Sequence, residues 1–139
     1  MIRGLSPIDD MIQMIETVKK IFHKQKHSFM FVYLFGSLAR KDHSESSDLD
    51  IAVYVEENIE QDYFEIKSKL YLQLSRALKT NQIDIVVMNQ CRNLMLLNNI
   101  ITHGQLIYEK DHSARIDYEQ KIFHRAIDFK HQRKMVMGV

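Results

Sequence analysis

Seven consecutive side chains with neither charge nor amide, Phe29-Met30-Phe31-Val32-Tyr33-Leu34-Phe35, run straight into Gly36-Ser37. The run is far short of the ~20 residues that a membrane span needs. It is apolar on both alternating faces and rich in aromatic rings, which fits a central strand buried on both sides. A chain that contains such a strand has to supply elements to cover it.

The remaining periodicities supply them. Pro7 suits the first position of a helix with Ser6 as its cap, and Asp9 and Asp10 complement the dipole of its first turn. Ile8, Met11, Ile12, Ile15, Val18 and Phe22 follow at helical spacing. Leu38-Ala39-Arg40-Lys41 suits a short helix, His43 to Ser47 a polar loop, and Asp48 to Val55 a second strand. Tyr63, Lys67, Leu70, Tyr71, Leu74, Ala77 and Leu78 mark the buried stripe of the next helix. Gln82 to Met88 reads as a third strand. Cys91 to His103 reads as a helix with Leu94, Leu97 and Ile101 inward and Gly104 as its stop. Gln105 to Tyr108 suits a short fourth strand. From about Ser113 a last helix carries Ile116, Phe123, Ala126 and Ile127 into a basic tail. The order α-β-α-β-α-β-α-(β)-α predicts an α+β (mixed α/β) fold, a small mixed sheet covered by helices. At 139 residues the chain suits a single domain over 1–139.

Composition removes whole classes of function. A single cysteine, Cys91, excludes a disulfide framework and a Cys-rich zinc module. A net charge of +1 is too balanced for a broad phosphate-binding surface, so no direct nucleic-acid role is expected. No targeting signal or membrane segment is visible, which makes the cytoplasm the expected location. His23 and His27 stand at i, i+4 but lack an acidic third ligand, and read as surface residues. Cys91, with no base placed near it by sequence, reads as core packing. Lys121, Arg125, Lys130, Arg133 and Lys134 read as a solvated helix end that offsets the dipole.

Topology gathers the chemistry. Twelve residues, Gly36 to Ser47, separate the first two strands, which is marginal for a parallel crossover and favours antiparallel pairing. Glu56 to Gln82 holds a full helix, so the third strand is expected parallel to the second. Gly36, Ser37, Asp48, Asp50 and Asp84 then meet at one edge of the sheet. Asp48 and Asp50 share a face, with Leu49, Ile51, Val53 and Val55 on the other. Three such carboxylates repel one another without a cation, and Mg²⁺ suits hard oxygen ligands that bridge to phosphate. Two ions would clamp a phosphoryl transfer. Gly36 permits close backbone approach, Ser37 begins a turn whose free N–H groups favour anions, and Arg40 lies one turn further on.

Gly36-Ser37, ten intervening residues, Asp48-Leu49-Asp50 and then Asp84 resemble the signature of the polymerase-β-type nucleotidyltransferase superfamily. Gly36-Ser37-Leu38-Ala39-Arg40 and Ser47-Asp48-Leu49-Asp50 resemble its minimal nucleotidyltransferase (MNT) branch, the MntA-type antitoxins encoded beside HEPN-domain ribonuclease toxins of HepT type. Leu106 to Asp111, Arg115 and Tyr118-Glu119 resemble the tail of that branch. Lys41 departs from it, since Gly is frequent there. The resemblance implies ATP as substrate and two Mg²⁺ ions. It implies Asp48, Asp50 and Asp84 as catalytic metal ligands, with Asp84 also helping to deprotonate the acceptor. Gly36, Ser37, Arg40 and Ser47 are implied to bind the nucleotide. The implied reaction moves AMP onto a tyrosine of a HEPN toxin partner in a hetero-oligomer. A non-catalytic module that masks the toxin, and an adenylyltransferase for a small molecule such as an aminoglycoside, are the alternatives. The latter usually carries a second domain, for which this chain has little spare length.

Overall fold

The computed structural model describes residues 7–25, 29–36, 49–57, 60 and 62–137. Along the chain these form α1 (Pro7–Lys24), β1 (Phe29–Phe35), β2 (Leu49–Val55), α2 (Tyr63–Leu78), β3 (Ile83–Val87), α3 (Leu94–His103), β4 (Gln105–Glu109) and α4 (His112–Met137). The strands form one sheet in the order β3-β2-β1-β4. β1 pairs antiparallel with β2 and with β4, and β2 pairs parallel with β3, as the connection lengths predict.

The both-faced apolar run of β1 accounts for the layering. Val32 and Leu34 pack toward α1 and α2 with Val18, Phe22, Leu70 and Leu74. Phe31 and Tyr33 pack the other way, with Leu97, Ile100 and Ile122 from α3 and α4. Phe29 sits on the first face although it stands three positions, an odd number, before Val32, because an irregularity in the β1–β2 pairing between Phe29 and Phe31 shifts the alternation. α2 is fixed at both ends. The Asp62 side chain accepts hydrogen bonds from the Phe64 and Glu65 amides at 3.0 and 3.2 Å, and Lys79 closes the helix in the left-handed region with φ 55°.

Several expectations need correction. α3 starts at Leu94, because Asn93 caps it through the Leu96 amide at 3.1 Å; Cys91 precedes the helix and packs half-buried beside the α3–α4 layer. Ile12 is exposed on α1. On α2, Lys67 and Ala77 face outward and Ile66 takes part in the core instead. On α4, Ile122 and Ala126 are buried, while Phe123 and Ile127 are exposed and Ile116 is half-buried. Ser6, His27 and the short helix expected at Leu38–Lys41 lie outside the described residues.

The first turns of α4 are tied to the sheet by a polar lock. The Tyr33 hydroxyl donates to Glu119; Arg115 donates to the same carboxylate at 2.9 Å and forms an ion pair with Glu109 of β4 at 3.3 Å. Beside it, Phe31 and Tyr54 stack at 4.8 Å and Tyr118 packs against both. Burial raises the Tyr33 phenol pKa, and Glu119 raises it further. Burial also raises Tyr118, and burial together with Glu57 pushes Tyr54 up to about 12. An unfolded chain releases these protons near pH ~10 while the fold retains them. Their contribution is therefore complete below pH ~10 and is lost above it. Chemical denaturation at pH 8 and pH 11 is expected to show a marked fall in stability. The Tyr118 hydroxyl is buried with no described partner, so Tyr118→Phe is expected to be neutral or stabilising at pH 8 and to lessen that fall. A destabilised Tyr118→Phe protein, or equal stability at both pH values, contradicts this.

Candidate active site

The two-residue period of the strands sorts the acids from the core. Leu49, Ile51, Val53 and Val55 of β2, and Ile83, Ile85 and Val87 of β3, all pack on the α1–α2 face. Asp50 and Asp84 alternate with them and so stand on the α3–α4 face, where Ala52, Tyr54 and Val86 of the same strands pack. Register then aligns them: Phe35 lies opposite Asp50, and Asp50 opposite Asp84. Phe35, Asp50 and Asp84 thus form one row across three strands. Neighbouring strands lie only ~4.8 Å apart, so the two carboxylates share a small space.

Gly36 closes that row. It follows β1 in a turn with φ +77°, a conformation that L side chains rarely adopt. A Cβ placed on it would collide with Oδ2 of Asp50. Both the dihedral angle and the contact require glycine here. The backbone of the β1–β2 connection therefore begins directly against a carboxylate, with no side chain between them.

A recess of about 480 Å³ opens beside Gly36, lined by Phe35, Leu96, Asn99, His103 and Gly104. Leu96, Asn99 and His103 are spaced i, i+3, i+7 along one face of α3. Gly104 lets the helix end press onto β1, since a Cβ there would crowd the Ile100 and Leu34 carbonyls. Sequence reading passed over Asn99 and His103. Their spacing was the available signal, but a polar helix face ordinarily means solvent.

Of the residues singled out by sequence, the structure brings together Gly36, Asp50 and Asp84. Asp48, Ser37, Arg40, Ser47 and Lys41 lie outside the described residues. Among the described residues no three His, Cys, Asp or Glu side chains converge as a metal-binding group. The neighbouring carboxylates of Asp50 and Asp84, next to a glycine whose backbone lies against Asp50, are a donor set that fits a hard divalent cation.

A cation that binds these two carboxylates only in the folded chain would add its binding energy to stability. Thermal unfolding is expected to show Mg²⁺ stabilising the wild-type chain, by ~1.4 kcal/mol at ten times the dissociation constant. Asp50→Asn with Asp84→Asn is expected to fold and to gain nothing from Mg²⁺. A double variant that fails to fold, or that keeps the Mg²⁺ shift, contradicts the assignment.

Comparison with known proteins follows the same outline. A chain from a crystal structure of a toxin–antitoxin with AMP-PNP matches at TM-score 0.70 and 18% identity, over 89% of this chain and 95% of that one. A chain from the structure of tri-AMPylated Shewanella oneidensis HEPN toxin in complex with MNT antitoxin matches at 0.66 and 18%, over 92% and 96%. One from the toxin–antitoxin MntA-HepT matches at 0.65 and 17%, over 91% and 96%. At these identities the likeness establishes the fold. No curated protein sequence matches the chain. Among the described residues, no helix is long and apolar enough to cross a membrane. Residues 16–113, which hold β1 to β4 and the whole carboxylate row, match the family described as Polymerase beta, Nucleotidyltransferase, and the chain belongs to that family.

Proposed function

We propose that this protein is an antitoxin that transfers AMP from ATP to a tyrosine hydroxyl of a HEPN-domain ribonuclease toxin, silencing it. The observation that carries the reading is the Asp50–Asp84 row with Gly36 against the Asp50 carboxylate. Two acids side by side on a sheet face, next to backbone with no side chain in the way, suit a triphosphate and its counter-ions. The fold likeness to MNT and MntA chains supports the choice of acceptor.

In this reading Asp48, Asp50 and Asp84 hold Mg²⁺, which when bound offsets charge on the triphosphate. Gly36, Ser37, Arg40 and Ser47 hold the phosphates. The recess with Asn99 and His103 receives the nucleoside, where the Asn99 amide can both donate to and accept from a base edge. Asp84 is exposed at the side where an acceptor arrives, and takes the phenol proton as the oxygen attacks the α-phosphorus. One phosphoanhydride bond breaks, one phosphoester bond forms, and pyrophosphate leaves.

Purified chain, the HEPN-domain protein of the same locus, ATP and Mg²⁺ are expected to give intact-mass steps of one AMP residue on the HEPN protein, with loss of its ribonuclease activity. EDTA is expected to abolish the steps. Asp84→Asn is expected to bind the HEPN protein but transfer ~10²–10⁴-fold more slowly. Neutralisation of the HEPN protein with no mass change would instead establish masking, and full transfer in EDTA would exclude the metal site.

A further inference from the structure

Asp84 belongs to a second surface besides the carboxylate row. It also lines a groove of about 510 Å³ between α2 and β3, together with Phe64, Tyr71, Leu72, Ile83 and Ile85. Phe64 is 77% exposed and Leu72 49% exposed, unusually open for a large apolar pair sharing one cavity. Strand β3 is an edge of the sheet among the described residues. The Leu49 amide bonds the Gln82 carbonyl and the Met88 amide bonds the Val53 carbonyl, so even-numbered residues of β3 address β2. Ile83 and Ile85 therefore turn their backbone N–H and C=O groups outward, over the groove.

We propose that this groove is where the protein carrying the acceptor hydroxyl docks, and that the acceptor reaches Asp84 over the outer edge of β3. The inference rests on the nucleotidyl-transfer reading for what Asp84 does. Continuity selects the occupant: one residue is both a wall of the apolar groove and the end of the carboxylate row. A small alcohol has no use for apolar surface stretching from Phe64 to Leu72. A second copy of this chain seated there would cover Asp84 and close the site it serves. An acceptor protein gains affinity from the apolar pair, bonds the outward backbone groups of β3, and brings its hydroxyl round that outer edge to the α3–α4 face, where the Asp84 carboxylate stands.

The test compares two pairs of exposed apolar residues. Phe64→Ser with Leu72→Ser alters the groove; Ile127→Ser with Met135→Ser removes similar surface from α4, where Ile127 is 63% and Met135 71% exposed. Binding of the HEPN-domain protein of the same locus is measured by titration, and transfer by intact mass. The groove pair is expected to weaken binding by at least ~30-fold and to slow transfer at low partner concentration, with recovery as the partner approaches saturation. The α4 pair is expected to bind as the wild type does. ATP affinity measured on the same samples reports that the fold survives. Unaltered binding by the groove pair overturns the proposal. So does weakened binding by the α4 pair alone, a wild-type chain that does not bind the HEPN protein, or a wild-type dimer that the groove pair converts to monomer. Binding that depends on the groove without any AMP transfer sustains the dock and overturns the transfer reading.

Discussion

The mixed pairing of β2, antiparallel to β1 and parallel to β3, is the constraint from which the site follows. Antiparallel pairing puts the C-terminal end of β1 beside the N-terminal end of β2. Parallel pairing puts the N-terminal end of β3 there as well. Gly36, Asp50 and Asp84 come from segments as much as 48 positions apart, yet they meet because of two hydrogen-bond ladders and one register. A slip of one residue in either ladder would turn an acid into the core and an aliphatic residue into the site. The buried faces forbid that slip, since Ile51, Val53 and Ile85 are each no more than 2% exposed. Packing on the α1–α2 side thus holds the chemistry in place on the other side.

The site is built against the grain of stability. Gly36, held at φ +77° against Asp50, gives up more chain entropy on folding than any other residue type would. The remainder of the molecule is arranged to bear this. Apolar layers cover both faces of β1, and the Tyr33–Glu119–Arg115–Glu109 lock fastens the start of α4 to the sheet. Beyond Ala126 no described side chain of α4 is buried, so the anchoring is confined to the helix's first half.

Much of this was legible in the sequence, for local reasons. The limits of β1 are those of its uninterrupted apolar run, and the parity of Asp50 against Ile51 is fixed by the strand period. Pairing directions followed from connection lengths. The failures were equally physical. On α4, Ile122 and Ala126 stand one position before Phe123 and Ile127, and a single position turns a helix by ~100°, so the apolar residues alone do not identify the buried flank. Asn93 displaced the start of α3 because a side-chain cap outweighs helical periodicity. Asn99 and His103 look like an ordinary solvated face until α3 is set beside Gly36. The groove along β3 depends on which strand is the edge, and that is a property of the assembled sheet alone.

Anomalous diffraction from crystals of the chain grown with Mn²⁺ and a non-hydrolysable ATP analogue examines the arrangement most directly. Manganese is expected bonded to the carboxylates of Asp50 and Asp84, with the triphosphate against the backbone at Gly36. Nucleotide seated elsewhere, for instance in the recess by Phe29 and Val55 at the opposite end of the sheet, with both carboxylates free of metal, would contradict it.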